Sequence, residues 1–158
     1  MTRLYGRAQV GARCLGCVPH GHWSTATFIS ALRHDRISAP LLIDAPMDGA
    51  MFLAYVERIL APELRREEIV ICDNLSSHKV KSVKGIIQDC GAQLLYLPAY
   101  SPDFNPIELM WSKVKSFLRG AKARIEQELW TAIAKALAAI TPGDARAFFC
   151  HCGVGMIN

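Results

Sequence analysis

No uninterrupted apolar run in the 158-residue sequence approaches a membrane-spanning length; Lys, Pro or His breaks the longest ones. A spanning helix needs roughly 20 such residues, so no membrane partner is expected. The first residues, Met1-Thr2-Arg3-Leu4-Tyr5-Gly6-Arg7, hold no apolar core of the kind a secretory leader carries, which predicts a cytoplasmic location. Internal repeats, low-complexity tracts and linker-like stretches are missing as well. With 51% apolar and 20% charged residues, a disordered chain is excluded. The length suits one domain spanning 1–158, with enough chain to bury a core.

Net charge is small, +4 from 18 Lys+Arg against 14 Asp+Glu. Its distribution is uneven. Between Lys79 and Arg124 stand eight cations (Lys79, Lys81, Lys84, Lys113, Lys115, Arg119, Lys122, Arg124) and three acids (Asp89, Asp103, Glu108). A local excess of this kind is what a polyanionic partner would meet, although on charge alone a solvated helix face is the better explanation. Six cysteines are many for a small cytosolic chain. Cys14 and Cys17 form C-x-x-C, and Cys150 and Cys152 flank His151. A zinc site would need both pairs brought together. Cys72 and Cys90 lie in apolar stretches and read as buried thiols. A disulfide framework does not suit a reducing compartment.

Residues 8–18 and 25–32 are apolar without helical period, and Pro19-His20-Gly21-His22 separates them, so they read as a hairpin. Leu41-Leu42-Ile43 is a third short strand. Met51 to Leu60 repeats its apolar residues with helical period and stops before Pro62. Glu68 to Cys72 is a β-branched strand ending at Asp73-Asn74. Ser76 or Ser77 is a candidate cap for a helix through Cys90, closed by Gly91. Gln93 to Leu97 is the next strand. A Pro-rich loop then leads to a helix from Asn105-Pro106 to about Arg119-Gly120, and two further helices fill 125–140 and 142–150. Strand–helix–strand units join parallel strands by right-handed crossovers, so the expectation is a mixed α/β sheet flanked by helices.

Two carboxylates stand out. Asp73 ends an apolar strand, the position where open α/β sheets present functional groups; Asp-Asn is also a common turn pair. Glu108 lies in the first turn of the helix opened by Asn105-Pro106. There Asn105 as N-cap, Pro106 at N1 and Glu108 at N3 make a capping-box arrangement that needs no chemistry to explain it. The interval from Asp73 to Glu108 holds 34 residues: a helix, a parallel strand and a shaped loop. That is enough to return the second acid beside the first. Paired carboxylates of this kind suit Mg²⁺ or Mn²⁺ and metal-assisted phosphodiester chemistry.

The strings Asp73-Asn74-Leu75-Ser76-Ser77-His78-Lys79 and Leu95-Tyr96-Leu97-Pro98-Ala99-Tyr100-Ser101-Pro102-Asp103-Phe104-Asn105-Pro106-Ile107-Glu108 closely resemble the catalytic region of bacterial insertion-sequence transposases of the mariner superfamily, DDE endonucleases with a ribonuclease H-like fold. The resemblance runs over nearly the whole chain, from Met1-Thr2-Arg3 to His151-Cys152-Gly153. It implies DNA cleavage and strand transfer with Mg²⁺ or Mn²⁺, and DNA (transposon ends and target) as partner. Pairing with itself or with a full-length transposase is a further implied partnership. Asp73 and Glu108 take the places of the second and third acids. Asn74, His78, Asn105 and Pro106 shape the site or touch DNA, and Lys79, Lys113, Lys115 and Arg119 are candidates to follow phosphates.

The family's first acid lies on a first strand ahead of the stretch matching Thr2-Arg3-Leu4-Tyr5-Gly6-Arg7, and this sequence begins at that stretch. An N-terminally incomplete domain without its first strand is therefore expected. The alternative is an inactive remnant that binds DNA or an intact transposase without cutting. Asp44 and Asp48 stand in a segment that precedes a helix in the family pattern, away from the catalytic strand. Ile107, Trp111, Val114 and Leu118 follow the spacing of a core face, as does Trp130 with Leu129, Ile133, Leu137 and Ile140. Trp23 is a candidate contact residue. His20 and His22 have i, i+2 spacing without an identifiable carboxylate partner.

Overall fold

The computed structural model describes residues 5–15, 26–123 and 125–154. Its first regular unit is an antiparallel hairpin of β1 (Thr27–Leu32) and β2 (Ile37–Ile43). The turn between them is closed by the Arg33 N–H donating to the Arg36 carbonyl at 2.7 Å. This corrects the expected pairing of 8–18 with 25–32. Residues 5–15 are exposed and irregular. Arg7, Gln9 and Arg13 interrupt their apolar pattern, and Gly11 takes a left-handed φ of 85°. The intervening 16–25, with Cys17, His20, His22 and Trp23, lie outside the described residues, as does Arg124.

The hairpin carries a bulge. Ile29 pairs with Leu41 but Ala31 pairs with Ser38, so Ser30 alone opposes Ala39 and Pro40. Pro40 has no N–H to give a ladder, and a bulge is where a strand tolerates it. Ala39 is left-handed (φ 50°) and fully buried. Its backbone groups are satisfied elsewhere: the carbonyl accepts from the Tyr55 hydroxyl at 2.8 Å, and the N–H donates to Glu63 Oε1 at 3.1 Å. Burial around that hydroxyl pushes the Tyr55 pKa up.

Asp48 caps α1 (Gly49–Tyr55) by accepting from the Met51 N–H at 2.8 Å. The helix continues as a π-helical turn (Val56–Leu60) and a 3₁₀ turn (Ala61–Glu63) that contains Pro62. Strand β3 (Ile69–Cys72) pairs in parallel with β4 (Gln93–Tyr96) across α2 (Lys81–Asp89). The Ser76 or Ser77 cap expected for α2 is not made. Ser76–His78 form a 3₁₀ turn, and the helix starts three residues later behind Val80, which offers no capping side chain. Gly91 closes the helix in the left-handed region, φ 77°. Then come α3 (Pro106–Ala121), α4 (Glu126–Ala138) and α5 (Pro142–His151). Among the described residues the strands form two two-stranded sheets, β1-β2 and β3-β4, where the sequence led us to expect one.

Alternation along the hairpin decides the layering. Ile29, Ala31 and Leu41 face one cluster, built on Phe52, Tyr55, Val56, Leu60, Val83 and Ile87. Phe28 and Leu42, one position out of phase, face a second, built on Val114, Leu118, Ala132, Ile133 and Ala136. Trp130 is 47% exposed and is not core. The face that α4 buries centres on Ala132, Ile133 and Ala136, where two alanines let α3 approach closely, and Trp130 falls beside it. Among the described residues no helix is long and apolar enough to cross a membrane.

Arg33, just past β1, reaches Glu68, just ahead of β3. Its guanidinium grips the carboxylate through both terminal nitrogens, Nη2 to Oε2 at 2.9 Å. The same Nη2 donates to the Glu63 carbonyl at 2.8 Å, and Nε to Ser38 Oγ at 3.3 Å. Hydrogen bonding from Arg33 holds the Glu68 carboxyl below its ordinary value, and the Arg33 pKa is raised in return. The stabilisation is complete above the unfolded carboxyl pKa of about 4.3 and is lost as pH falls through the lower folded value. Glu68→Gln is expected to cost about 2 kcal/mol in urea unfolding at pH 7, with the gap closing toward pH 2. A gap that persists at low pH would show that the charge is not what ties the sheets.

Candidate functional site

Asp73 follows β3 directly, so a strand anchored at Ile69–Cys72 carries its carboxylate. Asp73 Oδ1 accepts from the Leu75 N–H at 3.1 Å, a local turn contact. It also lies 2.7 Å from His78 Nδ1. The 3₁₀ turn that replaces the expected helix start is what swings His78 back. The residue is held from two further sides: the Tyr96 hydroxyl donates to the His78 backbone carbonyl at 2.7 Å, and the Phe52 ring lies 4.1 Å from the imidazole between centroids. Asn74 Oδ1, next in sequence, is buried with no hydrogen-bond partner. Cys72, one residue before Asp73, is a largely buried thiol whose pKa burial pushes up to about 12, which leaves it inert as a nucleophile.

Glu108 arrives from the other side. The Leu97 N–H donates to the Cys72 carbonyl at 2.8 Å, carrying the parallel ladder one step past Tyr96. The loop turns at Tyr100, left-handed at φ 56°, and passes through a 3₁₀ turn at Pro102–Phe104. Asn105 then caps α3, its Oδ1 accepting from the Ile107 N–H at 3.4 Å, with Pro106 at the first helical position. The capping box is only half built. The Asn105 N–H donates to the Pro102 carbonyl at 2.9 Å, so the arm that Glu108 would supply is already taken. Glu108 is exposed, which leaves its carboxylate available to a ligand.

Asp73, His78, Asn105, Pro106 and Glu108 all line one cavity of about 480 Å³. Trp111, on the next turn of α3, packs edge-on against Phe28 of β1 at 5.1 Å, in agreement with a packing role. The sequence reading missed Phe28, Phe149 and Arg33, which also border the cavity. No local pattern marks them, because elements far apart in the chain bring them there.

The cations separate. Lys79, Lys115 and Arg119 are exposed. Lys113 is engaged: its Nζ lies 2.6 Å from Asp144 Oδ1. Asp144 in turn completes a capping box with Thr141 at the start of α5, and its carboxyl is lowered to about 2, chiefly by Lys113. The tie holds α3 against α5 and competes with any phosphate for Lys113. Asp44 is exposed and does not line the cavity, and Asp48 is occupied as the cap of α1. Cys14 and Cys150 are exposed, Cys152 is buried, and Cys90 donates to the Ala61 carbonyl at 3.7 Å. Among the described residues no three His, Cys, Asp or Glu side chains are grouped to hold a metal ion. The half-built box makes a stability test discriminating. Asn105→Ala is expected to lower stability by about 1 kcal/mol, whereas Glu108→Gln should cost no more than about 0.5 kcal/mol in urea unfolding.

Residues 1–130 match the DDE superfamily endonuclease family. The transposable element Tcb2 transposase of Caenorhabditis briggsae is 31% identical over 102 residues, covering 58% of this chain and 37% of that protein. Among solved structures, the Mos1 strand transfer complex superimposes with a TM-score of 0.74 at 15% identity, over 94% of this chain and 46% of the other. The Mos1 mariner paired end complex with Mn gives 0.70 at 14%, over 95% and 47%. The catalytic domain of Mos1 mariner transposase gives 0.64 at 14%, over 80% and 74%. The chain thus spans less than half the length of the curated relative and of the first two structures. The shared fold is mixed α/β and ribonuclease H-like, as the resemblance implied. With the family matched over 130 of 158 residues, the chain belongs to the DDE superfamily endonucleases.

Proposed function

We propose that this chain is the catalytic domain of a mariner-type transposase, one that cleaves DNA strands and transfers them with the help of Mg²⁺ or Mn²⁺. The observation that carries the reading is the meeting of Asp73 and Glu108 at one cavity from either side of a 34-residue interval. It is supported by the family match and by relatives whose names are those of transposases, one of them seen in a complex with Mn.

The donor set fits such an ion: two carboxylates are hard oxygen ligands, and Mg²⁺ is commonly held by one or two of them together with substrate phosphate oxygens. When bound there, a divalent ion lowers the pKa of a water and stabilises the leaving oxygen. The chain's own residues supply the rest. Asp73 and Glu108 hold the ion, each presented by a rigid element end. His78, fixed by Tyr96 and Phe52, orients the Asp73 carboxylate. Asn105 and Pro106 set the first turn of α3 and with it the direction of Glu108. Lys79, Lys115 and Arg119 are free to meet phosphates, which would fix DNA position without reading sequence.

Nicking of supercoiled plasmid in Mg²⁺ or Mn²⁺ is the direct test. Asp73→Asn and Glu108→Gln are each expected to lower the rate by about a hundredfold or more, equivalent to at least about 3 kcal/mol of barrier. Both should retain DNA binding while losing the Mn²⁺ signal in paramagnetic titrations. Undiminished nicking in Asp73→Asn would refute the assignment. A second reading, DNA binding without cleavage, has one observation in its favour: among the described residues, no group of three or more His, Cys, Asp or Glu is placed to hold a metal ion. Salt-dependent binding with no nicking by the unaltered chain would favour it.

A further inference from the structure

Helix α3 carries one acid, Glu108, and none after it. From Glu108, the residues Ser112, Lys115, Arg119 and Lys122 follow at steps of four, three, four and three. That spacing keeps them on one face of a helix. All five are exposed, beside the buried row of Met110, Val114 and Leu118. Lys113, on the opposite flank of that row, is taken by Asp144 of α5. Among the described residues no carboxylate pairs with Lys115, Arg119 or Lys122. The face therefore begins at an acid that lines the cavity and continues as uncompensated positive charge.

The far end of that face is shaped as well as charged. Lys122 closes α3 in the left-handed region, φ 53°, its N–H donating to the Leu118 carbonyl at 3.3 Å. Glycine is the residue such a position favours, so a long cationic side chain stands here against the backbone preference. Lys122 also borders a groove between the end of α3 and the start of α4, together with Gln127 and Lys135 of α4. Lys135 is exposed and, among the described residues, has no carboxylate partner. Phe117 and Ile125 line the same groove as apolar surface, 41% and 61% exposed. The acid on the lining, Glu128, has an interaction of its own. Cations and an amide donor set around apolar side chains match a nucleic-acid backbone, whose phosphates take the polar groups while its sugars meet the apolar ones.

We propose that the α3–α4 groove is a remote anchor for duplex DNA: the backbone leaving the Asp73–Glu108 cavity follows the outer face of α3, and Lys122 and Lys135 hold its phosphates in the groove. The inference rests on the reading of the cavity as a site for DNA strand chemistry, and adds to it a second surface and a direction. At about 1.5 Å of rise per residue, Lys122 lies roughly 21 Å along the helix from Glu108, too far to touch the reacting bond. Lys122 and Lys135 are therefore positioning residues. Contacts to phosphate carry no sequence information, so the anchor grips any duplex alike.

The test is the affinity of the full chain for a fluorescent duplex of about 30 base pairs, measured without metal over a range of salt, where each phosphate neutralised adds about 0.9 to the slope of log affinity against log salt. Lys122→Ser combined with Lys135→Ser is expected to flatten the slope by about 1.8, and Gln127→Lys, which adds a cation to the groove, to steepen it by about 0.9. Two variants make like charge changes elsewhere: Lys84→Ser on α2, and Ala134→Lys at an exposed α4 position outside the groove. Both are expected to leave the slope as it is. An unaltered chain with no salt-dependent affinity for duplex would overturn the proposal. So would an unchanged slope in the double variant, or equal changes in the two controls, which mark a response to net charge alone. Should the double variant fold poorly in urea unfolding, Gln127→Lys against Ala134→Lys decides. Nicking in Mg²⁺ is scored apart: nicking with unmoved slopes overturns the anchor and leaves the cavity reading, whereas the expected slopes without nicking do the reverse.

Discussion

The Arg33–Glu68 pair is the constraint on which the arrangement of the sheets turns. A two-stranded sheet is marginal by itself in water. This chain has two, and they share no ladder hydrogen bond among the described residues. The guanidinium ties the turn after β1 to the residue before β3, and the Ser38 and Glu63 contacts brace it. Both side chains are partly sheltered, 17% and 26% exposed, so solvent screens the pair less than it would a fully exposed one. Asp73 lies past the other end of β3 from this tie.

The far end is held differently. Phe28 against Trp111 joins the hairpin to α3 through an aromatic contact, and Lys113 with Asp144 joins α3 to α5 through charge. Both contacts lie on α3 just past its first turn, which carries Glu108. Asp73 is braced from its own side by His78, whose carbonyl is in turn held by Tyr96 of the neighbouring strand. Each acid is therefore carried by a separate packing unit, and both residues line one cavity.

Strand β3, strand β4 and helix α3 were legible in the sequence nearly to the residue. Ile69–Cys72 is a β-branched run, and Asn105-Pro106 is a strong local start signal that needs no distant partner. Gly91 as the end of α2 was legible for the same reason. The hairpin was misassigned because apolar composition in 8–18 resembled a strand, while the actual partner, Ile37–Ile43, contains Pro40. That proline is tolerated only through a bulge whose loose backbone groups Tyr55 and Glu63 satisfy from elsewhere in the fold. The start of α2 differs similarly: Ser76 and Ser77 are good caps, yet Ser76–His78 form a 3₁₀ turn that sets His78 beside Asp73.

The sequence by itself determined the family and the interval between Asp73 and Glu108, because these are carried by contiguous strings around the two residues. It also determined the elements whose propensity and capping are local. Tertiary structure alone decided that Glu108 is released from its capping role, since the competing acceptor is the Pro102 carbonyl. It decided too that Lys113 is spoken for by Asp144 and that Trp130 faces outward. These are outcomes of which groups come within hydrogen-bonding or packing range across the fold, a property of distance in space that no local pattern encodes.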